Sequence, residues 1–431
     1  MKYIIKIFSP SCLIISLILF SYIFYKSEIQ WEGIKRSYYL VYYITTCILI
    51  LFSFISFFLS QKIKEYLIIV GLTIFFTLYA FEFYYTFKFN SLADSKKIYK
   101  KITGKEFDPR NKLQIYNDLK KKNKNLTISI PPTSFLKEED NILPFSGVSK
   151  AKTIFCKENG YYAIYKSDRY GFNNPDEEWD SLSIEYLLLG DSFVQGACVN
   201  RPYDIASVLR SLSNKSVLNL GYASNGPLIE YSVLREYINV KVKNVLWIFY
   251  EGNDLINLYN ELANEILQNY LKDMNFSQNL KLKQNLIDNI LNEYIENLQN
   301  NEKRKKFQFS EFIKLYKLRS LFIPFPAQKP GPEFKKIIKL AKELTEANKA
   351  NFYFVYLPTY NRYNSSFDDA SYIEIKKILK ELKIPLIDIH RDLFEKEKNP
   401  KNLFPFGLPG HYNIDGYNKT AKTIYNHIKS K

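Results

Sequence analysis

Residues 184–196 read IEYLLLGDSFVQG: an apolar run, then a glycine, an acid and a serine where the run stops. A short apolar run bounded by turn residues marks a strand buried on both faces. The strand is expected over Ile184–Leu189, and four similar runs follow at Ser216–Leu220, Asn244–Tyr250, Asn351–Tyr356 and Pro385–Ile389. Longer amphipathic stretches lie near 202–213, 226–240, 334–349, 370–382 and 415–429. Strands alternating with helices predict βαβ units and a five-stranded parallel sheet with helices packed on its faces.

In an open parallel sheet, sites form beyond the carboxyl ends of the strands. GDSFVQG (Gly190–Gly196) follows the first strand, NLGYASNGP (Asn219–Pro227) the second and YEGNDL (Tyr250–Leu255) the third. LPGHYNIDGY (Leu408–Tyr417) follows the fifth after a longer loop. Ser, Gly, Asn and His are thereby gathered at one sheet edge. Acyl transfer needs a nucleophile, a base and donors aimed at the developing oxyanion. Ser192, in a tight strand-to-helix turn, is the candidate nucleophile. His411 is the candidate base, able to take the Ser192 proton and return it to the leaving group. The oxyanion donors expected are the Ser192 backbone N–H, the Gly221 backbone N–H and the Asn253 side-chain amide. Each motif alone has a plainer reading as a turn or a chance match. Their order at successive strand ends carries the weight.

These four blocks resemble those of the SGNH hydrolase superfamily, the GDSL-type esterases and acyltransferases, across roughly residues 183–429. The resemblance implies a flavodoxin-like three-layer α/β/α fold and a serine esterase or O-acyltransferase activity without cofactor. SDRYGFNNP (Ser167–Pro175) is similar to lead-in segments of membrane-anchored members. One position departs from the pattern. The family places Asp three residues before its His, and this chain has Leu408 there. Asp388, Asp254 and Asp415 are the substitutes considered for orienting His411, with a backbone carbonyl as a further option. The departure also keeps open a catalytically inactive glycan-binding or scaffold protein of envelope assembly. His390, in IDIH, is a weaker candidate base, and His427 is expected on an exposed helix face. Asp191 is expected to cap the turn after Ser192.

Three apolar stretches open the chain, Ile7–Tyr25, Ser37–Ser60 and Tyr66–Phe87, each long enough for a membrane-spanning helix. Lys2 and Lys6 precede the first, but no small-x-small cleavage site follows it, so an uncleaved span is expected. Loop Lys/Arg are nearly balanced. With three spans, an inside N-terminus puts the C-terminal domain outside the cytoplasm. Glu82, a turn from the end of the third stretch, is expected at the interface. The domains expected are 1–88 as three transmembrane helices, 89–180 as linker and lead-in, and 181–431 as the hydrolase domain. A helical insertion at about 255–330 is expected over or beside the active face.

The 431 residues carry a formal net charge of +16, but the lysines are dispersed and accompany abundant Asn and Ile, which argues against a nucleic-acid partner. Cys156 and Cys198 are the only cysteines of the soluble part, and a disulfide between them suits an exported domain. No CxxC pair or Cys/His cluster points to a metal, and no cofactor is expected. The partners expected are the membrane and an acylated glycan or lipid, with acetyl as the expected acyl group.

Overall fold

The computed structural model describes residues 2–31, 33, 36–88, 91–137, 142–238, 241–302, 312–322, 329–364 and 367–430. They divide into two compact units, residues 1–90 with 306–326, and residues 91–305 with 327–431.

In the first unit, Tyr3–Gln30, Tyr38–Ser56 and Gln61–Thr86 are long and apolar enough to cross a membrane. Their outward faces expose Ile14, Ile18, Ile48, Leu51 and Phe76, as a lipid-facing surface would. Small polar residues join the first two helices: Ser9 Oγ donates to the Ser56 carbonyl at 3.0 Å, and Ser16 Oγ lies 3.2 Å from Ser53 Oγ. Glu82, near the end of the third span, is buried within this unit. Its carboxylate accepts the backbone N–H groups of Lys317 (3.0 Å) and Leu318 (2.8 Å), which begin the short helix Tyr316–Phe322.

Among the described residues, the second unit contains eight strands. β1 (Leu126–Ile128), β2 (Lys152–Ile154) and β3 (Ile164–Lys166) form a small sheet, parallel between β1 and β2 and antiparallel between β2 and β3. The main sheet contains β4 (Ile184–Gly190), β5 (Val217–Asn219), β6 (Val242–Tyr250), β7 (Asn351–Leu357) and β8 (Leu386–Asp388). It is wholly parallel, in the order β5-β4-β6-β7-β8. This is the flavodoxin-like order, with the reversal of direction across the sheet beside β4.

Strand side chains alternate between two cores. Leu187, Leu189, Val245, Trp247, Phe249, Phe352 and Phe354 face one core, shared with helices Pro227–Tyr237, Pro332–Ala347 and Ala370–Glu381. Tyr186, Leu188, Leu246, Ile248 and Val355 face the other, beneath helices Ile205–Ser213 and Ile414–Lys429. These two helix layers enclose the sheet.

One region differs from its sequence reading. Much of the stretch read as linker is folded: helix Lys112–Lys120 and the chain after it bury Ile115, Tyr116, Leu126, Ile130, Phe135 and Phe145 in the first core. The described part of the insertion adds to this same core through Leu258, Leu267, Tyr270, Ile287 and Leu291. It packs beside helix Pro227–Tyr237, where Arg235 Nη1 donates to the Tyr270 carbonyl at 2.6 Å. No residue of 255–302 lines the pocket described next.

Candidate active site

The chain leaves β4 through Gly190, at φ +154°, where a Cβ would stand 2.4 Å from Val194 Cγ2 and 2.6 Å from the Ile248 carbonyl oxygen. Only glycine permits so close a turn. Asp191 then caps the short helix Ser192–Gln195, its Oδ1 accepting the Phe193 N–H at 2.8 Å. Ser192 is held at the head of this helix, with 9% of its surface exposed.

His411 approaches from the loop before helix Ile414–Lys429. Its Nε2 lies 2.8 Å from Ser192 Oγ. Phe193 supports the imidazole, with ring centroids 4.7 Å apart, and is itself backed by Tyr250 at 4.2 Å. The structure thus brings together the two residues that sequence placed first.

The carboxylate that reaches His411 was not among the substitutes considered. Glu158, on the loop joining β2 to β3, has Oε1 2.9 Å from His411 Nδ1, and its Oε2 accepts the His411 backbone N–H at 2.6 Å. Gly410 makes room for it: a Cβ there would lie 2.6 Å from Glu158 Oε2. The three acids considered are engaged elsewhere. Asp388 accepts the Tyr372 hydroxyl at 2.5 Å and the Arg391 N–H at 3.2 Å. Asp254 accepts the Tyr250 N–H at 2.7 Å, and Asp415 pairs with Lys419 at 3.1 Å. Leu408 stands half-buried in place of an acid. Of the other histidines, His390 contacts Tyr363 and Glu395, and His427 is half-buried on the last helix.

The lead-in segment is tied to the nucleophile by covalent and polar links. Cys156 and Cys198 form a disulfide with Cα atoms 4.9 Å apart. Asn173 Nδ2 donates to the Gln195 carbonyl at 2.8 Å, and Asn174 exchanges hydrogen bonds with the Asn219 backbone at 2.8 and 2.9 Å. Buried Asp168 organises this turn, accepting from Tyr170 N, Phe172 N, Asn174 Nδ2 and Trp179 Nε1. Gln195 Nε2 donates to Ser129 Oγ and Tyr165 Oη, and its Oε1 accepts the Ala223 N–H at 2.8 Å.

The expected oxyanion donors are placed unequally. Asn253 lines the pocket beside Asp191 and Ser192, and its side-chain amide carries two N–H groups that a ligand can use. Gly221 is buried away from the pocket, and its N–H is taken by Asn219 Oδ1 at 2.9 Å. Its lack of a side chain serves packing instead, since a Cβ would lie 2.3 Å from Val194 Cβ. Ser224, three residues on and at φ +62°, is the member of that loop lining the pocket.

The pocket encloses about 460 Å³, with Tyr250, Asn253, Thr359, Tyr360 and Asn361 around Ser192 and His411. Its far wall is fixed by a buried ion pair. Arg362 Nη2 meets Glu251 Oε2 at 2.7 Å, and Glu251 Oε1 accepts the Thr359 N–H at 2.6 Å. Thr359 in turn bonds the Tyr250 hydroxyl at 3.0 Å.

Electrostatics suit proton transfer. Burial of the imidazole opposes its protonation, but the Glu158 carboxylate and, more weakly, Asp191 outweigh this and hold the His411 pKa above its ordinary value. Burial pushes the Glu158 carboxyl up, and its contacts with His411 bring it below the usual range. Asp191 is shifted upward by desolvation.

Solved structures to which the chain is similar include two lipolytic proteins of the G-D-S-L family. The one from Desulfitobacterium hafniense is 15% identical, with 57% of this chain and 99% of that one covered and a TM-score of 0.33. The one from Veillonella parvula is 14% identical, with 57% and 98% covered and a TM-score of 0.32. An acetyl xylan esterase is 12% identical, with 57% and 100% covered and a TM-score of 0.31. No curated protein matches the chain. The GDSL-like lipase/acylhydrolase family matches residues 186–424, more than half of the sequence and all of the main sheet but the first two residues of β4, so the chain belongs to that family.

Proposed function

We propose that this protein is a membrane-anchored serine acylhydrolase or O-acyltransferase that acts on a short acyl group, acetyl foremost, carried by a cell-envelope glycan or lipid. The observation that carries the reading is the 2.8 Å approach of His411 Nε2 to Ser192 Oγ, with Glu158 at the opposite ring nitrogen. In the mechanism proposed, His411 takes the Ser192 proton as Oγ attacks the ester carbonyl. Glu158 keeps the Nδ1–H tautomer in place and stabilises the imidazolium. The Ser192 N–H and the Asn253 amide receive the oxyanion, helped by the 222–225 loop through Ser224 rather than Gly221. His411 then protonates the departing alcohol. Water, or a sugar hydroxyl in a transferase, resolves the acyl-serine.

The hydroxyl and amide groups of Thr359, Asn361, Tyr250 and Tyr360 suit a polar acceptor and a small acyl group better than a long acyl chain. An inactive binding protein was motivated by Leu408, and a carboxylate at 2.9 Å from Nδ1 takes that motivation away. The catalytic domain is proposed to lie outside the cytoplasm. The Cys156–Cys198 disulfide supports this, because such bonds persist in oxidising compartments. Protease access in intact cells tests the side, and access from the cytoplasm alone would sink it. Ester turnover by the full-length protein in detergent tests the chemistry. Acetylated oligosaccharides should be deacetylated faster than long-chain esters, and the reverse order would favour a lipase.

A further inference from the structure

Glu158 belongs to neither the main sheet nor its connections. It sits on the 155–163 loop between β2 and β3, closed by its own hydrogen bonds from Phe155 N to the Ala163 carbonyl (2.9 Å) and from Ala163 N to the Cys156 carbonyl (2.8 Å). Nothing in that hairpin aims a carboxylate at His411. On a free loop, the charge would gain full hydration by turning back to water.

The loop is anchored on its outer side by Lys157 and Tyr162, which donate to the Arg110 carbonyl, and on the nucleophile side by two links that end on one residue. Cys198 carries the disulfide to Cys156, two residues before Glu158, and its carbonyl accepts Asn159 Nδ2 at 2.9 Å, one residue after it. Cys198 is fully buried, six residues past Ser192, and its φ of +62° shows a constrained backbone. The nucleophile turn and the acid loop are therefore referenced to the same point.

We propose that the Cys156–Cys198 disulfide is a positioning element of the acyl-transfer site, holding Glu158 against His411 so that reduction disables the site without unfolding the sheet. The consequence for activity rests on the hydrolase reading given above. Cys156 is partly exposed, so a reductant has a way in. A thiolate of an added dithiol attacks Cys156 Sγ, the S–S bond breaks, and Cys198 departs as thiolate and takes a proton. The second thiol of the reagent then displaces Cys156 from the mixed disulfide. Two protein thiols and one cyclic reagent disulfide result, with two electrons and two protons transferred.

The full-length protein in detergent micelles, labelled with nitrogen-15 histidine, offers only three imidazoles, His390, His411 and His427. The charged groups facing His411 are Glu158 and Asp191, and only Glu158 is released by reduction. Reduction with dithiothreitol should lower the His411 midpoint, since burial then dominates. It should also cut kcat on p-nitrophenyl acetate by roughly tenfold or more, with KM nearly unchanged and recovery on reoxidation. In Glu158→Gln the midpoint should already be low and dithiol should change little. The inference is overturned if mass-verified reduced protein keeps both its His411 midpoint and its kcat, or if Glu158→Gln responds to dithiol as the parent does. Should the double variant C156S/C198S fail to fold, dithiol titration of the parent still decides. A midpoint that falls in a protein that never turns over an ester would support the positioning and overturn the hydrolase reading.

Discussion

Glu158→Gln preserves size and removes the charge. Glu158 now receives two donors, the His411 backbone N–H at 2.6 Å and Nδ1–H at 2.9 Å. A glutamine has one acceptor oxygen and one NH2 group. If its oxygen takes the backbone N–H, the NH2 faces Nδ1 and selects the tautomer with its proton on Nε2. That nitrogen can no longer accept the Ser192 proton. If the oxygen takes Nδ1–H, the NH2 opposes the backbone N–H and the loop must shift. Loss of tautomer control in a Ser-His-Asp triad costs about 10⁴ in kcat. Glu158 keeps a side chain 36% exposed, so water can replace part of its role. The expected loss is about 10³, or roughly 4 kcal/mol of activation free energy at 1.36 kcal/mol per decade. Initial rates on p-nitrophenyl acetate measure it, alongside thermal unfolding to establish that the variant folds. A folded variant within threefold of the parent would refute the assignment of Glu158.

Other outcomes follow from the same geometry. Only neutral His411 can take the serine proton, so kcat/KM should fall on the acid side with an apparent pKa above 6.5, and Glu158→Gln should move that limb to lower pH. A pH–rate profile with the two limbs superimposed would contradict this. Gly410→Ala puts a methyl 2.6 Å from Glu158 Oε2, and should lower kcat about tenfold or more while barely changing the melting temperature. Arg362→Ala strands Glu251 in a buried site and should cost about 3–5 kcal/mol of stability by denaturant unfolding, with KM raised through the displaced Thr359 wall. A loss under 1 kcal/mol would argue against that ion pair.

The sheet was legible because buried parallel strands leave short apolar runs, as IEYLLLG and NFYFVYL do, each followed by its turn residues. Ser192, Asn253 and His411 were legible because parallel strands deliver their ends to one edge. Gly221 misled for a local reason: Asn219, two residues earlier, satisfies its N–H, which no motif announces. Glu158 was hidden because the strand pattern announces only the residues at strand ends, whereas this acid enters from a hairpin outside the sheet. Two signals pointed to it. It is the only acid between Asp140 and Asp168, and the expected Cys156–Cys198 pairing already placed its neighbour beside the nucleophile. The 89–180 stretch looked like linker because its lysines mask narrow apolar faces, although Asn111 and Gln114 carry the spacing of the capping box that the structure shows.

The proposed mechanism requires Ser192 to be an activated nucleophile. Fluorophosphonate labelling of the full-length protein, with the adduct located by peptide mass spectrometry, tests it most directly. One adduct is expected, on Ser192 in the peptide containing GDSFVQG, absent from Ser192→Ala and slowed by about two orders of magnitude or more in His411→Ala. A folded, oxidised protein that stays unlabelled, or that labels equally well without His411, would contradict it.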